Sequence, residues 1–252
     1  MDVRVASVTP LDLGNTLLAG IEPSDKPLLK GKLRELSIKP GTALSALHAG
    51  RPIVFFPCDR AVLSLRTVLK KGEMVECGVV NSDGMWPIGN EDSPNTIAIS
   101  YRAARIIWMD SEEFEKARQE SPSLKDLVAE YSVTLARNAM QLAACNAAHA
   151  VDQRLARWLL QMTEQAETNV LLATHDDLGS ALGVGRSYIT RILSKLQRVG
   201  AIRCQRGMIY VKDRSALRNV SCGCEIHMLR PEKNYRDEPS HLHRELPAPS
   251  GA

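Results

Sequence analysis

The chain has 252 residues, 44% of them hydrophobic and 24% charged, with a formal net charge of +3. That composition suits a water-soluble globular protein of one or two domains with room for a proper core. No apolar run approaches the roughly 18 residues of a membrane span, and Asp12 interrupts the stretch where a secretory leader would carry its apolar segment. The expected location is therefore the cytoplasm, where disulfides are uncommon, and no membrane partner is expected. Cys58, Cys77, Cys145 and Cys204 stand alone in the sequence, and only Cys222-Gly223-Cys224 is a close pair. A structural zinc site needs four ligands. Although His227 lies near, the spacing shows no second Cys or His pair, so neither a metal nor a cofactor is expected.

In chain order, Leu11 to Lys32 reads as partly helical. The stretch to about residue 110 is punctuated by Pro40-Gly41, Ala49-Gly50-Arg51-Pro52, Lys71-Gly72 and Asp83-Gly84, at intervals typical of antiparallel sheets. Strands are predicted at 53–56, 61–65, 74–80, 96–99 and 104–108, and such spacing suggests a small sandwich or barrel. A short capped helix follows from Ser111 to Gln119.

From Pro122 the pattern becomes one long helix. Leu124, Val128, Tyr131, Leu135, Asn138, Leu142, Cys145 and His149 recur at alternating spacings of four and three, the mark of a coiled-coil seam. That seam is expected to hold a homodimer, with Asn138 setting its register. Leu127, Thr134 and Gln141 lie on the face that would pack on the chain's own barrel. A second helix is predicted from Val151 to Met162, and 164–172 reads as a link.

The most informative stretch is Thr174 to Arg198. Thr174 can cap a helix, and Asp177 can reach back to it as an acidic capping box. Leu178, Ala181 and Leu182 give that helix one apolar face. Gly183-Val184-Gly185 supplies a tight corner. In the next helix Ile189, Ile192, Leu193 and Leu196 form the buried side. Arg186, Ser187, Thr190, Arg191, Ser194 and Lys195 form the other side, the split that a recognition helix in a DNA major groove needs. After the helix, 203–205 and 208–211 can pair across Arg206-Gly207. The expected reading is a winged helix-turn-helix on double-stranded DNA, with Thr174, the six polar residues above and Arg206 as contacts. Residues 174–230 hold ten Lys/Arg against four Asp/Glu, so they carry +6 and the rest of the chain carries −3. The basic charge is concentrated where a phosphate footprint would need it.

These parts together resemble the CRP/FNR family of bacterial transcription regulators, over nearly the whole chain to about Arg230. The most specific segments are Ala143-Ala144-Cys145-Asn146-Ala147-Ala148-His149, residues 153–160, the helix-turn-helix, and Val220-Ser221-Cys222-Gly223-Cys224-Glu225. The resemblance implies an α+β chain. An N-terminal double-stranded β-helix, a jelly-roll like that of cyclic-nucleotide-binding domains, would occupy 1–120. A dimerisation helix would occupy 121–150 and the winged helix 151–230, with a disordered tail over 231–252. It also makes Cys145 and the Cys222/Cys224 pair look like features of a branch of the family. RNA polymerase would be a partner if the protein activates.

Two departures matter. The family's recognition helix opens with Arg-Glu, but here Ser187 follows Arg186, which changes the expected half-site because Glu accepts from cytosine N4. In the family a nucleotide phosphate is held by a Gly-Glu helix N-terminus and an Arg. Here the stretch from Gly84 to Asn95 has no Arg and carries Glu91-Asp92, so no cyclic nucleotide is expected. Two other readings remain open: a haem- or thiol-sensing regulator using Cys77 and His48, and a cupin-like metal-dependent enzyme. The second suffers because only His48 precedes residue 149.

Overall fold

The computed structural model describes residues 14–48, 50–88 and 95–228. The predicted tail from Pro231, the Glu91-Asp92 pair and the His227 side chain lie outside the described residues.

The helical expectation over Leu11 to Lys32 shrinks to a single turn, α1 (Thr16–Ala19), and a 3-10 turn at Lys26–Leu29. Gly20, Pro23 and Pro27 stop a longer helix from propagating. Asn15 caps α1 by accepting from the Leu18 amide, and its buried amide donates to the carbonyls of Pro57 (2.8 Å) and Gly84 (2.9 Å). One side chain thus ties three separate segments together.

Eight strands follow: β1 (Arg34–Ile38), β2 (Ala43–Leu44), β3 (Leu47–His48), β4 (Arg51–Pro57), β5 (Val62–Val68), β6 (Met74–Asn81), β7 (Thr96–Ser100) and β8 (Ala104–Asp110). They form two four-stranded antiparallel sheets, in the orders β1-β8-β4-β3 and β2-β7-β5-β6. The five predicted strands match β4 to β8. β1 to β3 were not predicted: β2 and β3 have two residues each and leave no alternation to read, and β1 (RELSI) carries only two large apolar residues among polar ones. Phe55, Phe56, Leu63, Ile106 and Met109 belong to the buried core of this part of the chain, where burying each large apolar side chain is worth roughly 1.5–3 kcal/mol.

α2 (Ser111–Glu120) is capped by Asp110, and α3 (Pro122–Ala148) by Ser121 with Pro122 in its first turn. α3 is clamped to the sandwich by Tyr131. A Cβ on Gly84 would lie 2.1 Å from the Tyr131 ring, so only glycine lets the β6–β7 turn approach the helix this closely.

α4 (Val151–Gln165) leads through β9 (Val170–Leu172) to α5 (His175–Leu182), α6 (Arg186–Arg198), β10 (Ile202–Gln205), β11 (Met208–Val211) and α7 (Arg214–Arg218), and a 3-10 turn spans Cys224–His227. The predicted link over 164–172 contains a strand, since β9 pairs with β11 and completes a three-stranded sheet. A second core gathers around Leu155, Trp158, Leu159, Leu178, Ile189 and Leu196, and Val62, Ile99 and Tyr101 of the sandwich join it.

The two bodies meet at a buried carboxylate. Glu76 Oε2 accepts from Trp158 Nε1 (2.7 Å) and Ser64 Oγ (2.6 Å). Burial raises its pKa above the ordinary range, against the opposing pull of Arg157, the two hydrogen bonds and Arg66. Arg66, also buried, donates to the carbonyl of Asp177 in α5 (2.9 Å) and lies 5.6 Å from the Tyr101 ring. Glu76→Ala would strand the Trp158 indole N–H in the interior and is expected to cost about 3 kcal/mol of stability. Glu76→Gln keeps an acceptor and should cost less than half as much, measured as the shift in urea midpoint. Equal losses in both variants would show that the acceptor is not what matters.

Candidate nucleic-acid interface

The geometry starts with the cap of α5. Thr174 Oγ1 accepts from the Asp177 amide (3.1 Å), and Asp177 Oδ2 accepts from the Thr174 amide (2.8 Å). Two otherwise orphaned donors are satisfied reciprocally. The corner then depends on glycine twice. Gly183 has a positive φ of 68°, and a Cβ on Gly179 would lie 2.6 Å from the Val184 carbonyl oxygen. A backbone oxygen cannot retreat as a flexible side chain can, so glycine is required at position 179 for α5 and α6 to cross this closely.

α6 divides as the sequence implied. Ile189, Ile192, Leu193 and Leu196 are buried, whereas Arg186, Ser187, Thr190, Arg191, Ser194 and Lys195 are all exposed. Their solvent face is pre-arranged. Arg186 pairs with Asp176 (3.0 Å), Arg191 lies 4.6 Å from the Tyr188 ring, and Thr190 Oγ1 meets His175 Nδ1 at 2.8 Å. Lys195 pairs with Asp152 (2.9 Å), and that contact holds the Asp152 carboxyl below its usual range. Exposed pairs of this kind are worth about 0–1 kcal/mol, so a phosphate or base edge can displace them. Asp152, Asp176, His175 and Tyr188 are the members that the sequence reading missed. None has a motif signal, because each reaches the face from another turn or another helix.

Arg206 and Gly207 form the tip of the β10–β11 hairpin, both at positive φ (48° and 75°). The turn type matches the twist of the strands and leaves the Arg206 side chain exposed.

The long helix departs from expectation. Leu124, Val128 and Tyr131 are buried against the chain's own sandwich, and Leu142 and Cys145 against its own C-terminal segment. Leu135 and Asn138 line a cleft that also involves Glu76, Tyr131, Arg157 and Gln161. Five of the eight seam residues are thus covered within the chain, while Leu135, Asn138 and His149 are half-buried. On the face expected to pack on the chain's own barrel, Leu127 packs on the core and Thr134 lines the same cleft. What α3 exposes is a third stripe of Ala129, Val133, Ala136, Met140, Ala143 and Ala147. These residues also recur at alternating spacings of four and three, with Val133 50% and Met140 71% exposed. Two apolar stripes thus share the heptad period, and the larger side chains lie on the intramolecular one.

Cys145 is only 1% exposed, with its sulfur 3.5 Å from that of Cys222. Burial and the neighbouring Cys222 push its thiol up to about 12. It therefore does not face a symmetry mate. His149 Nδ1 lies 3.5 Å from Cys224 Sγ. The pair missing from the spacing argument is thus Cys145 and His149, one helical turn apart and 73 residues or more upstream of Cys222-Gly223-Cys224. Cys77 and His48, considered together for haem or redox sensing, lie on different sheets, on β6 and β3.

Comparison with known proteins agrees with this geometry. Residues 153–220 match the profile of the Crp-like helix-turn-helix domain. The transcriptional regulator SdrP of Thermus thermophilus is 33% identical over 104 residues, a match spanning 39% of this chain and 51% of SdrP. A solved structure from Eubacterium rectale, described as a transcriptional regulator of the Crp/Fnr family, superposes with a TM-score of 0.63 at 20% identity, covering 81% of this chain and 96% of that one. FixK2 of Bradyrhizobium japonicum superposes with a TM-score of 0.61 at 17% identity, covering 76% and 98%. Among the described residues no helix is long and apolar enough to cross a membrane.

Proposed function

We propose that this chain is a transcription regulator of the CRP/FNR type, as its match to the Crp-like helix-turn-helix domain and its likeness in fold support, and that it acts as a homodimer on pseudo-palindromic DNA, with one α6 in the major groove of each half-site. The observation that carries this reading is the α6 face: six polar or basic side chains exposed on one side and four apolar ones buried on the other. Two-fold symmetry would place half-sites about one helical turn apart. Arg186 and Arg191 would make bidentate contacts to guanine, with Ser187 and Thr190 as short polar readers between them. Thr174, Ser194, Lys195 and Arg206 are placed for phosphates. RNA polymerase is a partner if the protein activates.

The dimer is assigned to the exposed stripe of α3. Alanines at 129, 136, 143 and 147 let two helices approach closely, and Met140 is the largest apolar group the stripe presents. The effector is assigned as something other than a cyclic nucleotide. In the described part of the corresponding stretch, Met85 and Trp86 are buried in the core, with the Trp86 ring 5.4 Å from Phe55, and the sequence from Gly84 to Asn95 offers no Arg for a phosphate.

Three outcomes are expected. On an operator mapped by genome-wide binding, Arg186→Ala and Arg191→Ala should each cost about 1–3 kcal/mol and relax base preference. Lys195→Ala and Arg206→Ala should instead weaken binding to all sequences alike; unchanged operator affinity in Arg186→Ala would refute the docking. Met140→Asp should give a monomer by light scattering while Leu135→Asp reports on folding of the single chain, and a stable Met140→Asp dimer would move the interface elsewhere. Calorimetry with cyclic AMP or cyclic GMP should show no specific heat, and micromolar binding would restore a nucleotide-gated mechanism.

A further inference from the structure

The C-terminal end of α3 and the segment after α7 bring together four soft donors from two distant parts of the chain. Cys145 lies in the last turn of the helix and His149, four residues on, is its C-cap, whose amide donates to the Cys145 carbonyl (3.1 Å) and holds the two residues one above the other. Cys222 and Cys224 flank Gly223, whose positive φ of 75° folds the Cys-Gly-Cys unit back toward a common point. Ser221 braces that knuckle: its hydroxyl accepts from the Gly223 amide (3.1 Å) and donates to the Glu225 carboxylate (3.0 Å). The four donor atoms all lie within 4.8 Å of one another.

We propose that Cys145, His149, Cys222 and Cys224 form a structural zinc site that fastens the C-terminal segment to the end of α3. Zinc–sulfur bonds of about 2.3 Å and zinc–nitrogen bonds of about 2.0–2.1 Å in a tetrahedron imply donor–donor edges of roughly 3.5–3.8 Å. The Cys145–Cys222 and Cys224–His149 separations are both 3.5 Å, so a small contraction of the remaining edges completes the shell. Three thiolates and one neutral imidazole are a donor set that suits Zn²⁺. With Zn²⁺ they would leave one net negative charge. A counter-charge is already in place, because the buried Arg157 guanidinium acts electrostatically on Cys145 and is held by Gln161 (2.6 Å) and Met228 (3.3 Å). Binding releases the three thiol protons to solvent, with no change of oxidation state.

Two other occupants of the same residues fit less well. A disulfide needs a sulfur–sulfur distance of about 2.05 Å and would join only Cys145 and Cys222, giving His149 and Cys224 no part. An iron–sulfur cluster spreads its ligands around several metal and sulfide atoms, whereas these four donors converge on a volume suited to a single ion. The consequence of zinc would be mechanical. α3 carries the dimer stripe and α4 starts the DNA-binding module, so a cross-link from the end of α3 to the segment beyond α7 would set how that module is held.

The test uses the full chain purified without added metal. Elemental analysis should give one zinc per chain, and exchange with Co²⁺ should produce the intense visible bands of a tetrahedral thiolate complex. Zinc affinity, measured by competition with a chromophoric chelator, should fall by more than about a hundredfold in Cys222→Ser and Cys224→Ser, beyond what outer partners alone produce. Should either variant misfold, the Co²⁺ spectrum of the unaltered chain decides alone. Protein that is metal-free and takes up neither Zn²⁺ nor Co²⁺ would overturn the proposal. So would a Cys145–Cys222 disulfide found by mass spectrometry in freshly prepared protein, or iron with inorganic sulfide. None of these readouts depends on operator binding, so failure here is distinguishable from failure of the DNA-binding reading.

Discussion

Glu76 is a carboxylate that has given up water to sit between two folded bodies, and the arrangement of the rest follows from how it is satisfied. Removing such a group from solvent costs several kcal/mol unless donors replace the lost hydration. Here the donors come from both sides: Ser64 from the neighbouring strand of the sandwich, and Trp158 from α4 of the DNA-binding module. The module therefore has a strong reason to dock with Trp158 over β6 and not in a slipped position. Arg66 extends the node to the backbone of α5, and Ser180 of the same helix reaches the Met74 carbonyl at 3.4 Å. The helix-turn-helix is consequently seated on the β2-β7-β5-β6 sheet. A change in that sheet has a short physical route to α6, through β6 and α5.

The recognition surface rests on a different balance. Its apolar half is fixed by packing, which is worth several kcal/mol per large side chain, while its polar half is held by exposed pairs worth about 1 kcal/mol at most. Asp176 and Asp152 restrain Arg186 and Lys195 in the absence of DNA and can be exchanged for nucleic acid at little cost. A rigid scaffold with weakly held contact groups suits a surface that must bind many non-specific sites and release them.

The long helix serves three clients. Its first half packs on the sandwich, its C-terminal end presents Cys145 and His149 to the C-terminal segment, and an alanine-rich stripe remains exposed. The three faces meet along one cylinder with a period close to 3.6 residues, so any heptad drawn through the sequence overlaps more than one of them. Large residues lie where the chain's own core must be filled, and small ones on the exposed stripe.

Local chemistry was legible without the structure. The Thr174–Asp177 capping box, the Gly183 corner, the two-faced α6 and the Arg206-Gly207 hairpin each depend on residues within a few positions of one another, so their spacing carries the geometry. Strands β4 to β8 were legible for the same reason, through runs of β-branched and apolar residues between turn signals. What depended on contacts across the chain was not. The two-residue strands exist only because neighbours pair with them, and β9 only because β11 does. Which stripe of α3 is free was decided by Tyr131 meeting Gly84 and by Cys145 meeting Cys222. The cysteine and histidine cluster was invisible to spacing because its halves are separated by the whole DNA-binding module, and only the return of the chain past α7 closes that distance. Sequence periodicity states that a face is apolar; it takes the folded chain to determine what covers it.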